Sequence, residues 1–232
     1  MAPTILITRP REEAARTAAA FKARGFETLI EPMLDVVPVD DPTFSTEDAQ
    51  AILLTSGNGA RALGRTQVPR DMPVFTVGDR TAEEARAQGF TRVEAAGGNV
   101  EALAALVTAQ LDPSGGPLIH ISGRDVAGDL EGAVTAKAFT YRRHVLYKAH
   151  AAERFSEALT AALRAHTIAG VVFYSARTAT TFVMLAKRAG LAEAFEAMTA
   201  ICLSEAVAAA ARELNWGHIQ ITPRPEVEAR IA

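Results

Sequence analysis

Six places along the 232-residue chain set a hydroxyl, a glycine or a charged residue where a short apolar run gives way to a helix-forming stretch. They are Thr8-Arg9-Pro10, Thr55-Ser56, Gly78-Asp79-Arg80-Thr81, Ser122-Gly123-Arg124, Ser175 and Ser204. A helix N-terminus exposes unpaired N–H groups and the positive end of its dipole, so each junction is suited to an anion. In open α/β sheets, ligands bind outside the carboxyl ends of the strands, where such junctions fall. Serine and threonine at these positions also serve as ordinary N-caps. Their recurrence beside Arg9, Arg80, Arg124 and Arg177 points further, to a ligand with several negative charges. Two such rims facing each other would form a polyanion cleft. Tyr147 ends a strand at an expected crossing between domains, where its phenol could donate a proton or simply pack a half-buried ring.

Other chemistries are poorly served. Gly57-Asn58-Gly59-Ala60-Arg61-Ala62 fits the G-x-G-x-x-A dinucleotide pattern, with Asp79 about 20 residues on. The helix after it is interrupted by Gly64 and stops before Pro69, and the corresponding Ser175-Ala176-Arg177-Thr178-Ala179 contains no glycine. The histidines at 120, 144, 150, 166 and 218 lack metal-site spacing, and Cys202 sits in an apolar strand that reads as core. Glu12-Glu13 and Glu83-Glu84 fall in expected first turns, where the helix dipole favours negative charge. Neither a P-loop nor a G-x-S-x-G elbow is present.

The elements that must position these groups follow from the apolar period. Strands are expected at 4–8, 27–31, 51–55, 73–77, near 92–95, and at 117–121, 144–147, 171–174, 200–203 and 218–222, with helices between most of them. Short apolar strands alternating with helices describe parallel α/β architecture. The chain also resembles itself: 5–30 matches 118–147, 51–60 matches 170–179, and 73–90 matches 199–216, in the same order. That favours two similar parallel-sheet α/β domains, which the length permits at roughly 150 residues per domain. Periodicity alone would divide them near Pro113. LDVVPVDDP at 34–42 and YKAHAAE at 147–153 read as short extended crossings between domains.

Composition bounds the setting. Hydrophobic residues make up 49% and charged residues 22%, which excludes a disordered chain. The net charge of −3 is not gathered into blocks, so no broad footprint for nucleic acid or membrane is expected. A lone cysteine and an N-terminal apolar run too short for a signal peptide point to the cytoplasm.

In its order of motifs the sequence resembles the uroporphyrinogen-III synthase family over nearly the whole chain. The resemblance is carried by Thr8-Arg9-Pro10, Thr55-Ser56-Gly57-Asn58-Gly59-Ala60, Val77-Gly78-Asp79-Arg80-Thr81-Ala82, Gly123-Arg124, Val145-Leu146-Tyr147 and Phe173-Tyr174-Ser175. It implies a discontinuous first domain of residues 1–34 and 150–232, a second of 38–146, and a two-stranded extended hinge at 35–37 and 147–149. It also implies the reaction: hydroxymethylbilane, a linear tetrapyrrole with acetate and propionate arms, loses water and closes with inversion of its last ring, ring D, without cofactor or metal. Tyr147 matches a cleft tyrosine proposed to assist hydroxyl departure. Ser56 and Thr81 match polar residues lining the cleft, and Arg9, Arg124 and Ser175 stand at rim positions suited to carboxylates. Asn58, Gly78, Gly123 and Ser204 complete the expected binding set. A monomer with transient contact to the preceding pathway enzyme is the expected state. Ser204-Glu205-Ala206-Val207 departs from the family, placing valine where a hydroxyl contact is usual and a carboxylate where it would repel substrate. The tail beyond Thr222 leaves little room for a last helix. A non-catalytic two-lobed anion-binding protein and a nicotinamide-dependent enzyme using the Gly57-Asn58-Gly59 loop are the competing readings of the residues.

Overall fold

The computed structural model describes residues 2–39, 44–126 and 128–222. The chain forms two compact units, one of Met1–Asp35 with His150–Ala232 and one of Val36–Ala149.

The discontinuous unit contains β1 (Thr4–Ile7), α1 (Arg11–Lys22) and β2 (Glu27–Ile30) from its first segment. Beyond the other unit's elements come α6 (Glu157–Arg164), β9 (Ile168–Phe173), α7 (Ala176–Arg188), β10 (Thr199–Cys202), α8 (Glu205–Ala211) and β11 (His218–Ile221). The sheet order is β11-β10-β9-β1-β2, and every pairing is parallel. Ile5, Leu6 and Ile7 of β1 are fully buried, as are Val171, Val172 and Phe173 of β9, because central parallel strands are covered on both faces. On α1 the buried residues are Ala14, Thr17, Ala18 and Phe21, an i, i+3, i+4, i+7 stripe. Phe182 of α7 is the centre of an aromatic cluster, with ring centroids of Phe155, Phe173, Phe195 and Trp216 5.0–6.2 Å away. Cys202 is buried among these helices and strands, and burial pushes its thiol up to about 11.

The continuous unit contains β3 (Leu34–Pro38, which begins just before it), β4 (Ala51–Leu54), α2 (Gly57–Gly64), β5 (Val74–Thr76) and α3 (Asp79–Ala87). It continues with β6 (Val93–Ala95), α4 (Val100–Gln110), β7 (Leu118–Gly123), α5 (Leu130–Thr135) and β8 (Tyr141–Ala151). Its sheet runs β3-β8-β7-β4-β5-β6, with parallel pairing from β8 through to β6. All four residues of β4 and all six of β7 are buried. Gly59 allows α2 to pack closely, since a Cβ there would lie 3.1 Å from the Ile121 carbonyl oxygen of β7.

The internal repeat is a repeat of topology. Taking β7, β8, β4, β5 and β6 as counterparts of β1, β2, β9, β10 and β11 gives the same strand order in both sheets. The fold is therefore two similar parallel-sheet α/β units. The expected division near Pro113 is corrected: Pro113–Gly115 is a 3-10 turn inside one unit, because the first βαβ segment joins the C-terminal half through β1–β9 pairing. The segments expected as hinge, 35–37 and 147–149, lie within β3 and β8, which are neighbours in the six-stranded sheet. Glu83-Glu84 fall beyond the first turn of α3, and Glu84 instead pairs with Arg61 at 2.7 Å. The tail after Thr222 lies outside the described residues. Among the described residues no helix is long and apolar enough to cross a membrane.

Candidate functional site

The continuous unit gathers its polar groups at the carboxyl ends of β4 and β7 and at Tyr147, which does not end a strand as expected but lies inside β8, because that strand runs on to Ala151. Ser56 follows β4 and caps α2, its hydroxyl oxygen accepting the Gly59 N–H at 3.2 Å. On the other side of β7 the ladder to β8 slips: Ser122 is opposite Val145, but Gly123 is opposite Tyr147. This bulge re-aims the strand end, a common use of bulges beside functional sites. The Tyr147 ring packs so closely on Gly123 that a Cβ there would come within 2.6 Å of it. With only hydrogen at that position, the phenol oxygen reaches 2.8 Å from the Ser56 hydroxyl oxygen.

Thr55, Ser56 and Tyr147 form part of the wall of a pocket of about 480 Å³. The start of α4 supplies Asn99, Val100 and Glu101, and the segment after β7 supplies Asp125, Val126 and Gly128. Asn99 caps α4 by accepting the Ala102 N–H at 2.7 Å. Two helix N-termini, those of α2 and α4, thus border the pocket and favour negative charge there. A larger cavity of about 670 Å³ lies between 44–47 and 65–72, away from the strand carboxyl ends, with Glu47 and Arg65 in its wall.

Behind Thr55 lies a buried polar chain. His120 of β7 is only 2% exposed. Its Nε2 is 3.1 Å from the Thr55 hydroxyl and its Nδ1 is 2.6 Å from the Tyr141 phenol. Burial, aided by the positive Arg143 guanidinium, pulls the imidazole down to about 4. Burial, with the nearby Glu131 carboxylate, pushes the Tyr141 phenol up to about 12. Arg143 braces the end of β7, donating to the Ser122 hydroxyl and to the carbonyls of Gly123 and Arg124 at 2.6–2.8 Å. Sequence reasoning assigned no role to His120, Tyr141, Arg143 or Asn99. The capping sequence Asn99-Val100-Glu101 was a readable signal, whereas a lone histidine in an apolar strand offers none.

Of the sequence-based site residues, the structure brings together Ser56, Gly123 and Tyr147. Arg124 is exposed in the loop after β7. Gly78 caps α3 in extended conformation, and Asn58 accepts from Arg61 at 2.6 Å. Thr81, expected among the polar residues lining the cleft, is 6% exposed inside α3 and is not among the residues lining this pocket.

In the discontinuous unit the outcomes are more structural. Arg9 is 7% exposed, ion-paired with Glu13, and lies 3.9 Å over the Tyr174 ring, so its charge is already matched. Ser175 caps α7, accepting the Thr178 N–H at 3.2 Å. Ser204 is exposed and makes no side-chain cap bond to α8. Glu205 pairs with Arg212, which holds its carboxyl below the usual range, and Val207 is buried.

Open parallel sheets with capped helix starts, and a hydroxyl pair in the wall of a pocket beside them, define an α/β protein of the class whose ligand sites fall at strand carboxyl ends. The family model of uroporphyrinogen-III synthase HemD matches residues 15–232, and the chain belongs to the uroporphyrinogen-III synthase family. It is accordingly a lyase-class enzyme of tetrapyrrole biosynthesis. The solved uroporphyrinogen-III synthetase from Helicobacter pylori is 13% identical, covers 98% of this chain and 96% of its own, and has a TM-score of 0.64. At that identity the likeness is one of fold. A uroporphyrinogen III synthase from the extremely thermophilic bacterium Thermus thermophilus is 18% identical over 97% of this chain and 95% of its own, with a TM-score of 0.49. None of the curated proteins compared is similar enough to count as a match.

Proposed function

We propose that the pocket beside Tyr147 binds hydroxymethylbilane and closes it to uroporphyrinogen III, with Tyr147 assisting departure of the substrate hydroxyl. The observation that carries this is the 2.8 Å contact between the Tyr147 and Ser56 hydroxyls at the wall of the pocket. Ser56 already accepts the Gly59 N–H, so it can give its own proton to the Tyr147 oxygen. The phenol proton is then directed at the substrate. As the carbon–oxygen bond breaks, its electron pair stays on oxygen, that oxygen takes the phenol proton, and water leaves. The cationic azafulvene left behind is attacked by the bridge-bearing α-carbon of the last pyrrole ring to give a spiro intermediate. The bond from that carbon to its own bridge then breaks, the freed bridge bonds the ring's other α-carbon, and the proton lost there returns to the Tyr147 phenolate.

The rest of the work is positioning and charge complementarity. The N-termini of α2 and α4 favour the acetate and propionate arms, and exposed Arg124 is suited to one more. Glu101 and Asp125 on the same wall would repel carboxylates but can accept hydrogen bonds from pyrrole N–H groups and favour the cationic intermediate. Cytoplasmic location is part of the proposal, supported by the single, buried thiol.

The test supplies enzymatically generated hydroxymethylbilane and separates the type I and type III uroporphyrins after oxidation. The type III isomer in excess over the spontaneous control is expected. Product matching that control would overturn the reading.

A further inference from the structure

Resting on that functional reading, we infer that Tyr141 and His120 are positioning residues that fix the Thr55 hydroxyl as a hydrogen-bond donor into the pocket, where it holds a substrate carboxylate. The geometry is a chain of three side chains from three neighbouring strands or strand ends: Tyr141 opens β8, His120 is inside β7, and Thr55 follows β4. Only Thr55 stands in the wall of the pocket beside Tyr147.

Proton placement follows from acid–base strength. A neutral imidazole has one donor nitrogen and one acceptor nitrogen. A phenol is a far stronger acid than a neutral imidazole N–H, and an imidazole nitrogen is a far stronger base than a phenol oxygen. Across the 2.6 Å contact, Tyr141 therefore donates to Nδ1. The ring proton must then sit on Nε2 and is donated to the Thr55 oxygen 3.1 Å away. Thr55 has one proton of its own, and with the Nε2–H occupying one lone pair that proton points elsewhere. The pocket wall is where an acceptor would meet it. Burial keeps the imidazole neutral and the phenol protonated, so the direction of the chain does not reverse near neutral pH.

A purely structural role would satisfy the same three polar groups without any preference for donation into the pocket. Two measurements separate the roles. The first is the long-range nitrogen–proton NMR spectrum of His120 in the wild-type protein, which requires no variant and no substrate. It should show protonated Nε2 and bare Nδ1; protonated Nδ1 overturns the inference. The second is a double-mutant cycle on KM and kcat for hydroxymethylbilane with Thr55→Val, His120→Phe and both together. Each single change should raise KM by about tenfold with little effect on kcat, as for one lost hydrogen bond to a charged group. The double variant should be no worse than Thr55→Val alone. His120→Gln, whose amide N–H can replace Nε2, should recover most of the loss seen in His120→Phe. If His120→Phe does not fold, Tyr141→Phe takes its place in the cycle. Wild-type KM in the His120 or Tyr141 variant, or losses that multiply in the double variant, would overturn the inference. A wild type that makes no type III isomer would overturn the functional reading instead, and the NMR result would still stand or fall separately.

Discussion

The phenol oxygen of Tyr147 and the hydroxyl oxygen of Ser56 stand 2.8 Å apart although 91 residues separate them in the chain. Two strand ends, a helix cap and a bulge combine to make that contact. Ser56 is held by its bond to the Gly59 N–H, and Tyr147 is turned towards it where β8 slips against β7. A phenol held by a second hydroxyl is restricted in direction, which general acid assistance needs.

Tyr147→Phe is expected to keep the fold and lose turnover. General acid help is typically about 10²–10⁴-fold, and an allylic-type hydroxyl that leaves readily places this enzyme at the lower end. The melting temperature should barely move, because the ring over Gly123 remains. Turnover equal to wild type would make the phenol a packing group.

Gly123→Ala should impair the reaction without touching a reactive group. The added Cβ would meet the Tyr147 ring at 2.6 Å, closer than real contacts allow, so the ring must shift and its contact to Ser56 is disturbed. A fall in kcat comparable to Tyr147→Phe is expected, with a stability loss of about 1–3 kcal/mol from overpacking. Removing the ring in the double variant with Tyr147→Ala should relieve that overpacking. Denaturant midpoints of the single and double variants test it: undiminished destabilisation in the double variant would mean the clash lies elsewhere.

Arg9 and Arg124 should part company. Arg9 is buried against Tyr174 and paired with Glu13, so Arg9→Ala should lower stability by removing the cation from the ring and leaving Glu13 without that partner. Arg124 is exposed, so Arg124→Ala should leave the melting temperature alone and raise KM by roughly tenfold through one lost charge-assisted contact. The opposite pattern would restore Arg9 as the carboxylate-binding residue.

His120 makes folding stability depend on pH in a defined direction. Its folded value lies near 4, below the unfolded value of 6.5, so the unfolded chain binds more protons between the two. Stability linked to this residue is complete above about pH 6.5 and is lost as pH falls towards 4, by on the order of 3 kcal/mol in full. In His120→Gln that part of the slope should vanish. Urea titrations at pH 7 and pH 4.5 measure it, and an equal slope in both proteins would show that other groups carry the acid lability.

Much of the architecture was legible in the sequence because α/β units announce themselves locally. The all-apolar runs at 51–54 and 168–173 are strands buried on both faces, and the alternation with Ala-rich helices leaves few alternatives. The ordered self-match of the halves survives as equal strand order in the two sheets. N-caps at Ser56 and Ser175 are likewise local events, written within three residues.

What the chain could not disclose by itself depends on contacts between distant segments. The pairing of β1 with β9, which carries the N-terminal βαβ segment into the C-terminal half, is a long-range choice with no local signature. The same holds for the site. Arg9, expected at a rim position suited to carboxylates, is enclosed by Glu13 and Tyr174, and Thr81, expected among the polar residues lining the cleft, is packed inward by α3. His120 gained a function only when Thr55 and Tyr141 arrived on adjoining strands. Sequence alone determined most strands, helices and caps, because backbone preference and apolar period act over a few residues, but not the extent of β8 or the strand character of β3. Tertiary structure decided which polar groups meet and which are spent on one another, because hydrogen bonds and charges act over a few ångströms, whatever their distance along the chain.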